Sequence, residues 1–307
     1  MTGKKRDGDG ERGLRGDPAG GPMSAAEANR ILYANAAETY DRSEECVVDE
    51  RLRTVLRDAL LEALGIVEGI SDSPRILDAG GGSGNASLML MALGCQPVTV
   101  DISPEMLKIF QRKAEAQGHS PQCEVAELLD FFQSDPRSWD MIVFSSVLHH
   151  LERPEEVLEV ARKRVSPGGV IVTAFDPVEV GAHGRFLRRL DYMLHVMLRT
   201  PRRFLGLATA RLGLRPAPGP DGLSQAVGEM AERHAVDGLD DRAIASAFSE
   251  HGWTLVAHGR RFEGRFRVTR AVFRALGRHS SFSLLAQAPT HVPPGDGRRG
   301  ADAAQAG

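Results

Sequence analysis

An acid, three glycines and a second acid have the types and spacing needed to bind a nucleoside. Asp78 precedes Gly80, Gly82 and Gly84, which stand at alternate positions, and Asp101 follows them. Glycine tolerates positive φ and lets another molecule approach the backbone closely. A carboxylate about twenty residues beyond such a turn can accept hydrogen bonds from ribose hydroxyls. The spacing therefore predicts a glycine turn that forms one side of a nucleoside site.

Two adjacent histidines are the best candidates for a catalytic base. His149 and His150 lie in the run Val147-Leu-His-His-Leu151. Because histidine changes protonation near neutral pH, either one could take a proton from a reacting group. The alternative is that the pair only shapes a pocket. Second candidates, each with a surface histidine as the alternative, are His183, His195 and His234.

The elements that must position these residues alternate between strand and helix. Segments of helical periodicity separate five apolar runs of strand length, over 75–78, 97–101, 123–126, 139–146 and 170–175. This alternation predicts a doubly wound α/β sheet. In such a sheet a ligand lies at the carboxyl ends of the strands, which is where Gly80, Asp101, Glu127 and Ser145 fall.

Further elements are predicted on both sides of this core. A capping serine, Ser24, begins a helix that reaches residue 42. Other helices are predicted over 49–64, 86–93, 155–164, 184–199, 202–214 and 239–251, and Ser103 caps one more. Two last strands are predicted over 252–258 and 281–288.

The pattern Asp78-x-Gly80-x-Gly82-x-Gly84 followed by Asp101 resembles motifs I and II of the class I methyltransferases that use S-adenosyl-L-methionine (SAM). A dinucleotide fingerprint has its third glycine one residue later, where this chain has Asn85. A carboxylate just before the turn is a poor neighbour for a pyrophosphate but suits a cationic ligand. The resemblance implies SAM as cofactor and a seven-stranded, mostly parallel sheet that ends in an antiparallel pair.

The same resemblance implies further site residues. Tyr40, in an entry segment similar to that of small-molecule methyltransferases, would line the methionine end of the cofactor, and Tyr33 would lie on the substrate side. Both tyrosines would otherwise pack a helix on the sheet edge. Ile102 would contact the adenine. Glu127 would bond the adenine amino group, although Ala126 stands where the family has glycine.

The chain divides into a core interrupted by a lid. We expect a disordered leader over 1–22, a cofactor-binding core over 23–176, a helical lid over 177–238, the rest of the core over 239–288 and a disordered tail over 289–307. Between Arg185 and Arg215 the lid holds eight arginines and one acid, Asp191. This excess indicates either an anionic or amphiphilic acceptor, with peripheral membrane contact, or a solvated arginine-rich face.

Composition narrows the classes of function that the sequence allows. A net charge of −3 gives no overall attraction to nucleic acid, and no Asn-Pro-Pro-Tyr run indicates methylation of a nucleic-acid base. Three separated cysteines, Cys46, Cys95 and Cys123, predict reduced thiols in the cytoplasm and no metal site. No apolar run is long enough to span a bilayer.

These patterns lead to a prediction with two alternatives. The prediction is SAM-dependent methyl transfer to a small-molecule acceptor at O, N or C, as in quinone and natural-product biosynthesis. The first alternative is a non-catalytic accessory protein that binds SAM or S-adenosylhomocysteine. The second is a dinucleotide oxidoreductase, which Asn85 and the absence of a Tyr-x-x-x-Lys run disfavour. The acceptor and the oligomeric state are left open.

Overall fold

The computed structural model describes residues 24–43, 49–199, 237–261 and 267–290. The helix predicted over 202–214, the leader over 1–22 and most of the expected tail lie outside these residues. So do His234 and Cys46, and so do the side chains of His183 and His195.

The described strands form one seven-stranded sheet. They are β1 (Ile76–Ala79), β2 (Val98–Asp101), β3 (Gln122–Val125), β4 (Trp139–Ser145), β5 (Val165–Pro177), β6 (Thr254–Arg261) and β7 (Ser281–Gln287). Their order is β3-β2-β1-β4-β5-β7-β6. The first five strands are parallel, and β7 is antiparallel to both of its neighbours. The predicted doubly wound sheet with its antiparallel end is therefore confirmed.

Helices cover both faces of the sheet. They are α1 (Ala25–Ser43), α2 (Glu50–Val67), α3 (Asn85–Ala92), α4 (Pro104–Ala116), α5 (Leu128–Ser134), α6 (Pro154–Arg162), α7 (Ala182–Arg199), α8 (Asp241–Glu250) and α9 (Arg267–Ala275). Ser103 caps α4 as predicted, because its hydroxyl accepts a hydrogen bond from the Met106 amide. α9, which joins β6 to β7, is an element that the sequence analysis missed.

Two large apolar clusters fill the space between the sheet and its helices. One joins the β1–β4 interior to α5, α6 and α8, with Trp139, Phe144 and Phe248 among its buried side chains. The other packs α2 against β4 and β5. This burial holds the carboxyl ends of β1, β2 and β4 next to one another, so the loops that follow them share one edge of the sheet.

Candidate functional site

The glycine turn after β1 has the backbone that the spacing predicts. Gly80, Gly82 and Gly84 have φ values of 71°, 53° and 86°. The amides of Gly80 and Gly81 donate to the Val100 carbonyl, 2.7 and 3.1 Å away, which fastens the turn to β2. A Cβ at Gly84 would lie 2.1 Å from Cδ2 of Phe110. Gly84 is therefore required by the packing of α3 on α4, and it is not part of the cavity wall.

Asp101 closes this turn from the end of β2. Its Oδ2 accepts from the Gly82 amide at 2.9 Å, and its Oδ1 accepts from the Ser103 amide at 2.8 Å. Each oxygen keeps a second lone pair, so the carboxylate can still accept two hydroxyl protons. Burial raises the pKa of Asp101 to about 6.

Asp78 is completely buried at the base of the turn. Its Oδ2 accepts from both the amide and the hydroxyl of Ser87, at 3.0 and 2.6 Å, which ties β1 to the first turn of α3. Its Oδ1 has no hydrogen-bond partner in the described part of the chain. Burial raises the pKa of this carboxyl to about 6. Asp78 thus positions the turn and places a buried carboxyl group directly behind the cavity wall.

A cavity of about 360 Å³ opens at this edge of the sheet. Its size is in the range of small-molecule sites. The cavity brings together most of the residues that the sequence analysis selected, namely Tyr40, Asp78, Gly80, Gly82, Asp101, Ile102, Glu127, Ser145 and His150, with Tyr33 and Met106. Gly84 and His149 are the two selected residues that do not line it.

His149 is turned away from the cavity toward a buried acid. Its Nδ1 lies 2.8 Å from Oδ1 of Asp176, which also accepts from the His149 amide at 3.1 Å. Asp176 is completely buried, and burial raises its pKa to about 7. Of the two adjacent histidines, His150 is therefore the one that lines the cavity in the described part of the chain.

A bulge in β5 places Asp176. The pairing with β7 skips from Ala174 to Asp176, so Phe175 is an extra residue. Phe175 has a φ of 67°, which is uncommon for a bulky residue. Ser146, at the end of the neighbouring β4, has a φ of 60° and donates its amide to the Ala174 carbonyl. Backbone strain of this kind often marks functional sites, and the sequence carries no signal for it.

His150 lies in the cavity wall and contacts α1. Its Nε2 is 2.7 Å from the Tyr33 hydroxyl, and its ring contacts that of His149, with centroids 3.8 Å apart and planes inclined by 43°. Nδ2 of Asn29 donates to the His150 carbonyl at 2.8 Å, whereas the buried Oδ1 of Asn29 has no partner in the described residues. The sequence analysis missed Asn29 because an asparagine inside a helix has no distinctive spacing.

The far end of α1 is tied to the glycine turn. Asp41 accepts from the Ser83 hydroxyl at 2.5 Å and from Nζ of Lys113 at 2.8 Å. Lys113 also donates to the Ser83 carbonyl at 2.7 Å. These contacts join α1, the turn and α4. The adjacent Tyr40 was selected from the sequence, but the partners of Asp41 could not be found without the fold.

Glu127 and Ser145 complete the wall from two other strand ends. Glu127 follows β3 and is the N-terminal boundary of α5, but its side chain makes no capping hydrogen bond. The Ala126 amide donates to the Asp101 carbonyl at 3.1 Å, which holds this loop beside β2. The loops after β2 and β3 can therefore both contact a ligand that extends from Asp101 across this edge of the sheet.

The described residues contain no group of three or more His, Cys, Asp or Glu side chains arranged to hold a metal ion. Within the same ranges, no helix is both long enough and apolar enough to cross a membrane.

Comparison with known proteins bears on the central part of the chain. Residues 77–171 match the family described as a methyltransferase domain. A tRNA 5-carboxymethoxyuridine methyltransferase from Escherichia coli (strain K12) is 28% identical over 141 residues, 43% of this chain and 51% of that protein. A ubiquinone biosynthesis O-methyltransferase from Xanthomonas euvesicatoria pv. vesicatoria (strain 85-10) is 27% identical over 95 residues, 31% of this chain and 40% of that protein. The chain thus spans about half the length, or less, of these curated relatives.

Solved structures share the fold at low sequence identity. The [4+2]-cyclase SpnF is 10% identical with a TM-score of 0.56, covering 88% of this chain and 98% of that chain. A Galdieria sulphuraria protein named as a sarcosine dimethylglycine methyltransferase is 14% identical with a TM-score of 0.51, covering 83% of this chain and 90% of that chain. At these identities the likeness shows the fold alone.

Proposed function

We propose that this chain, a class I methyltransferase by its fold and by the match of residues 77–171, transfers a methyl group from SAM to a small-molecule acceptor. The observation that carries the proposal is one cavity with two kinds of lining residue, which we assign to two adjoining halves. Asp78, Gly82 and Asp101 line one half, and the hydrogen-bonded pair of Tyr33 and His150 lines the other.

The first half has the chemistry to hold SAM. Asp101 keeps acceptor capacity for ribose hydroxyls, and the buried Asp78 carboxylate behind the wall suits the cationic part of the ligand. Gly82 leaves the space beside Asp101 open, since a Cβ there would stand 3.9 Å from the Asp101 carboxylate. Ile102, Glu127 and Ser145 extend the same wall, and Tyr40 covers it from α1. Bound there, SAM supplies a methyl group already activated by a positive sulfur.

The second half of the cavity has side chains that can bind the methyl acceptor and take its proton. Displacement at a methyl group requires an aligned, desolvated acceptor and removal of its proton if it carries one. The Tyr33 hydroxyl, bonded to Nε2 of His150, can take a proton from an acceptor and pass its own to the imidazole. Asn29 lines the same half and donates to the His150 carbonyl, which helps to hold His150 in place. His149, which is hydrogen-bonded to Asp176, packs against the His150 ring and helps to position it.

For the methyl acceptor we propose only that it is a small molecule. The relatives are named for tRNA 5-carboxymethoxyuridine methylation and for ubiquinone biosynthesis, so the match does not select between O-, N- and C-methylation. A small molecule is favoured because the cavity between α1 and the strand ends has a volume of only about 360 Å³. An anionic or amphiphilic acceptor and a cytoplasmic location stay predictions from the sequence; Cys95 and Cys123 are free thiols in the structure.

A second candidate function is cofactor binding without methyl transfer. The fold alone does not exclude it, because the fold neighbour SpnF, with a TM-score of 0.56, is named for a different reaction, as a [4+2]-cyclase. The cavity geometry serves both functions. Turnover separates them, because only a methyltransferase converts SAM to S-adenosylhomocysteine when an acceptor is present.

Calorimetry of the full chain with S-adenosylhomocysteine, with NAD as the control, tests the cofactor. Binding of S-adenosylhomocysteine alone supports the proposal, and binding of NAD alone contradicts it. A Tyr33→Phe variant then tests the second half of the cavity. We expect unchanged cofactor affinity and slower turnover of an acceptor that must lose a proton, whereas equal turnover of both proteins across pH would remove Tyr33 and His150 from the mechanism.

A further inference from the structure

Positive charge is concentrated at one end of the sheet. From residue 251 to residue 290 the sequence holds seven arginines and one acid, Glu263, in a chain whose net charge is −3. α9 lies in this stretch and connects β6 to β7. Pro177 at the carboxyl end of β5 pairs with Ser281, which pairs with Arg261. Since β5 is parallel to β4, α9 leaves the sheet at the edge that carries the cavity.

α9 exposes an apolar stripe. Val268 and Val272 are 73% and 40% exposed, and Leu276, just past the helix, is 56% exposed. Residues four apart lie on one side of a helix, so these three side chains form a row. Phe273, which is buried, anchors the helix to the protein from another direction. The stripe is therefore left without cover among the described residues.

α7 adds exposed apolar side chains at the same edge. Phe186 and Leu190, one turn apart, are 66% and 38% exposed. Nη2 of Arg188, on another side of α7, donates to the carbonyls of Val178 and Ser280, at 2.7 and 2.6 Å. Ser280 lies where α9 returns to β7. Arg188 thus ties α7 to the residue that precedes β7. We call Phe186 and Leu190 of α7, Val268, Val272 and Leu276 of α9, and the arginines of residues 267–278 the basic apolar surface.

We propose that the basic apolar surface docks the protein on an anionic lipid bilayer. Helices that combine an apolar row with arginines lie in the bilayer interface, with apolar side chains among the acyl chains and guanidinium groups at the headgroups. A second copy of the chain fits less well because two such faces repel each other. Nucleic acid fits less well because phosphate contacts do not require exposed valine, leucine and phenylalanine.

Docking at this edge would bring the cavity to the membrane. An acceptor with a hydrocarbon portion could then reach the site from the bilayer. This access route rests on the proposed methyl transfer. The docking itself does not depend on it, and it is tested without SAM or an acceptor.

The test is sedimentation of the full chain with vesicles of about one-third phosphatidylglycerol in phosphatidylcholine, against phosphatidylcholine alone. One variant combines Val268→Asp with Val272→Asp, and another combines Arg274→Glu with Arg278→Glu. Controls with matched charge change carry Leu61→Asp with Ile70→Asp, or Arg53→Glu with Arg57→Glu, on or next to α2. Leu61 and Ile70 are 42% and 43% exposed there.

We expect binding to the anionic vesicles that falls at least about tenfold in each α9 variant and in about 0.5 M salt, since each arginine at an anionic surface contributes roughly fivefold. The controls should bind like the unmodified chain. Absence of binding to anionic vesicles, or equal loss in the controls, overturns the proposal. So does a gel shift with total tRNA that the α9 variants abolish while vesicle binding persists. Calorimetry with S-adenosylhomocysteine on the same proteins reports separately on the cofactor site.

Discussion

At the scale of single residues, Asp101 should determine cofactor affinity. Its two oxygens hold Gly82 and Ser103 and keep acceptor capacity for the ribose. We expect Asp101→Ala to weaken S-adenosylhomocysteine binding by about 1–3 kcal/mol, the typical loss for hydrogen bonds to a charged group. Asp130→Ala, on α5, is the control with the same charge change. Equal affinities for the two variants by calorimetry would contradict the assignment of Asp101.

Asp176 gives the fold a pH dependence of defined sign. Burial raises its pKa to about 7 from an ordinary value of 3.8, so between these values the folded state binds more protons than the unfolded state. The free energy of unfolding therefore decreases as pH rises from about 4 to about 7, and the stabilisation is complete only below pH 4. Asp78 and Asp101, both raised to about 6, act in the same direction.

We expect Asp176→Asn to flatten this dependence by roughly 1–4 kcal/mol over that interval, because the amide has no proton to lose. Urea unfolding at a series of pH values measures the effect. Asp135→Asn is a useful comparison, since Asp135 is also buried but bonds Arg137 and the Trp139 indole. Parallel pH profiles for the unmodified chain and Asp176→Asn would contradict the argument.

At the scale of elements, two glycines of the same turn should respond differently. A Cβ at Gly82 would meet the mobile end of Met106 at 3.3 Å, whereas one at Gly84 would meet the buried Phe110 ring at 2.1 Å. We expect Gly82→Val to fold, with a cost of about 1–2 kcal/mol for its positive φ, but to lose cofactor binding. Gly84→Ala should lower the melting temperature much more. A folded Gly82→Val variant with normal affinity for S-adenosylhomocysteine would contradict the proposed role of the turn.

The contacts of Asp41 that join α1 to the glycine turn lead to a second prediction about elements. Asp41 and Lys113 are partly exposed, and their ion pair spans two helices. We expect Lys113→Met to weaken S-adenosylhomocysteine binding by about 0.5–1 kcal/mol and to increase amide exchange in α1. Lys163→Met, which removes an exposed pair with Glu159, is the control. Unchanged exchange in α1 would show that other contacts hold the helix.

At the scale of the whole molecule, the sequence predicted the sheet well because strand periodicity and glycine turns are local signals. Most of the cavity followed from the same rule, since parallel strands place their carboxyl ends together. His149 was the informative exception. Adjacent histidines have equivalent sequence signals, and only the bulge at Phe175 directs one of them to Asp176. α9 was missed although Val268, Val272 and Leu276 recur every four residues, a helical signal that the sequence analysis did not use.

A single helix, α1, lines both halves of the cavity. Its Tyr40 lies with the cofactor-binding residues, and its Tyr33 lies with His150. It packs on Met106 and Ile109, so one rigid element contributes to the binding of both ligands. If the chain turns over as proposed, we expect compulsory-order kinetics in which S-adenosylhomocysteine leaves last and inhibits competitively against SAM. Flux through the enzyme would then follow the rate at which the cell removes that by-product, rather than the supply of acceptor.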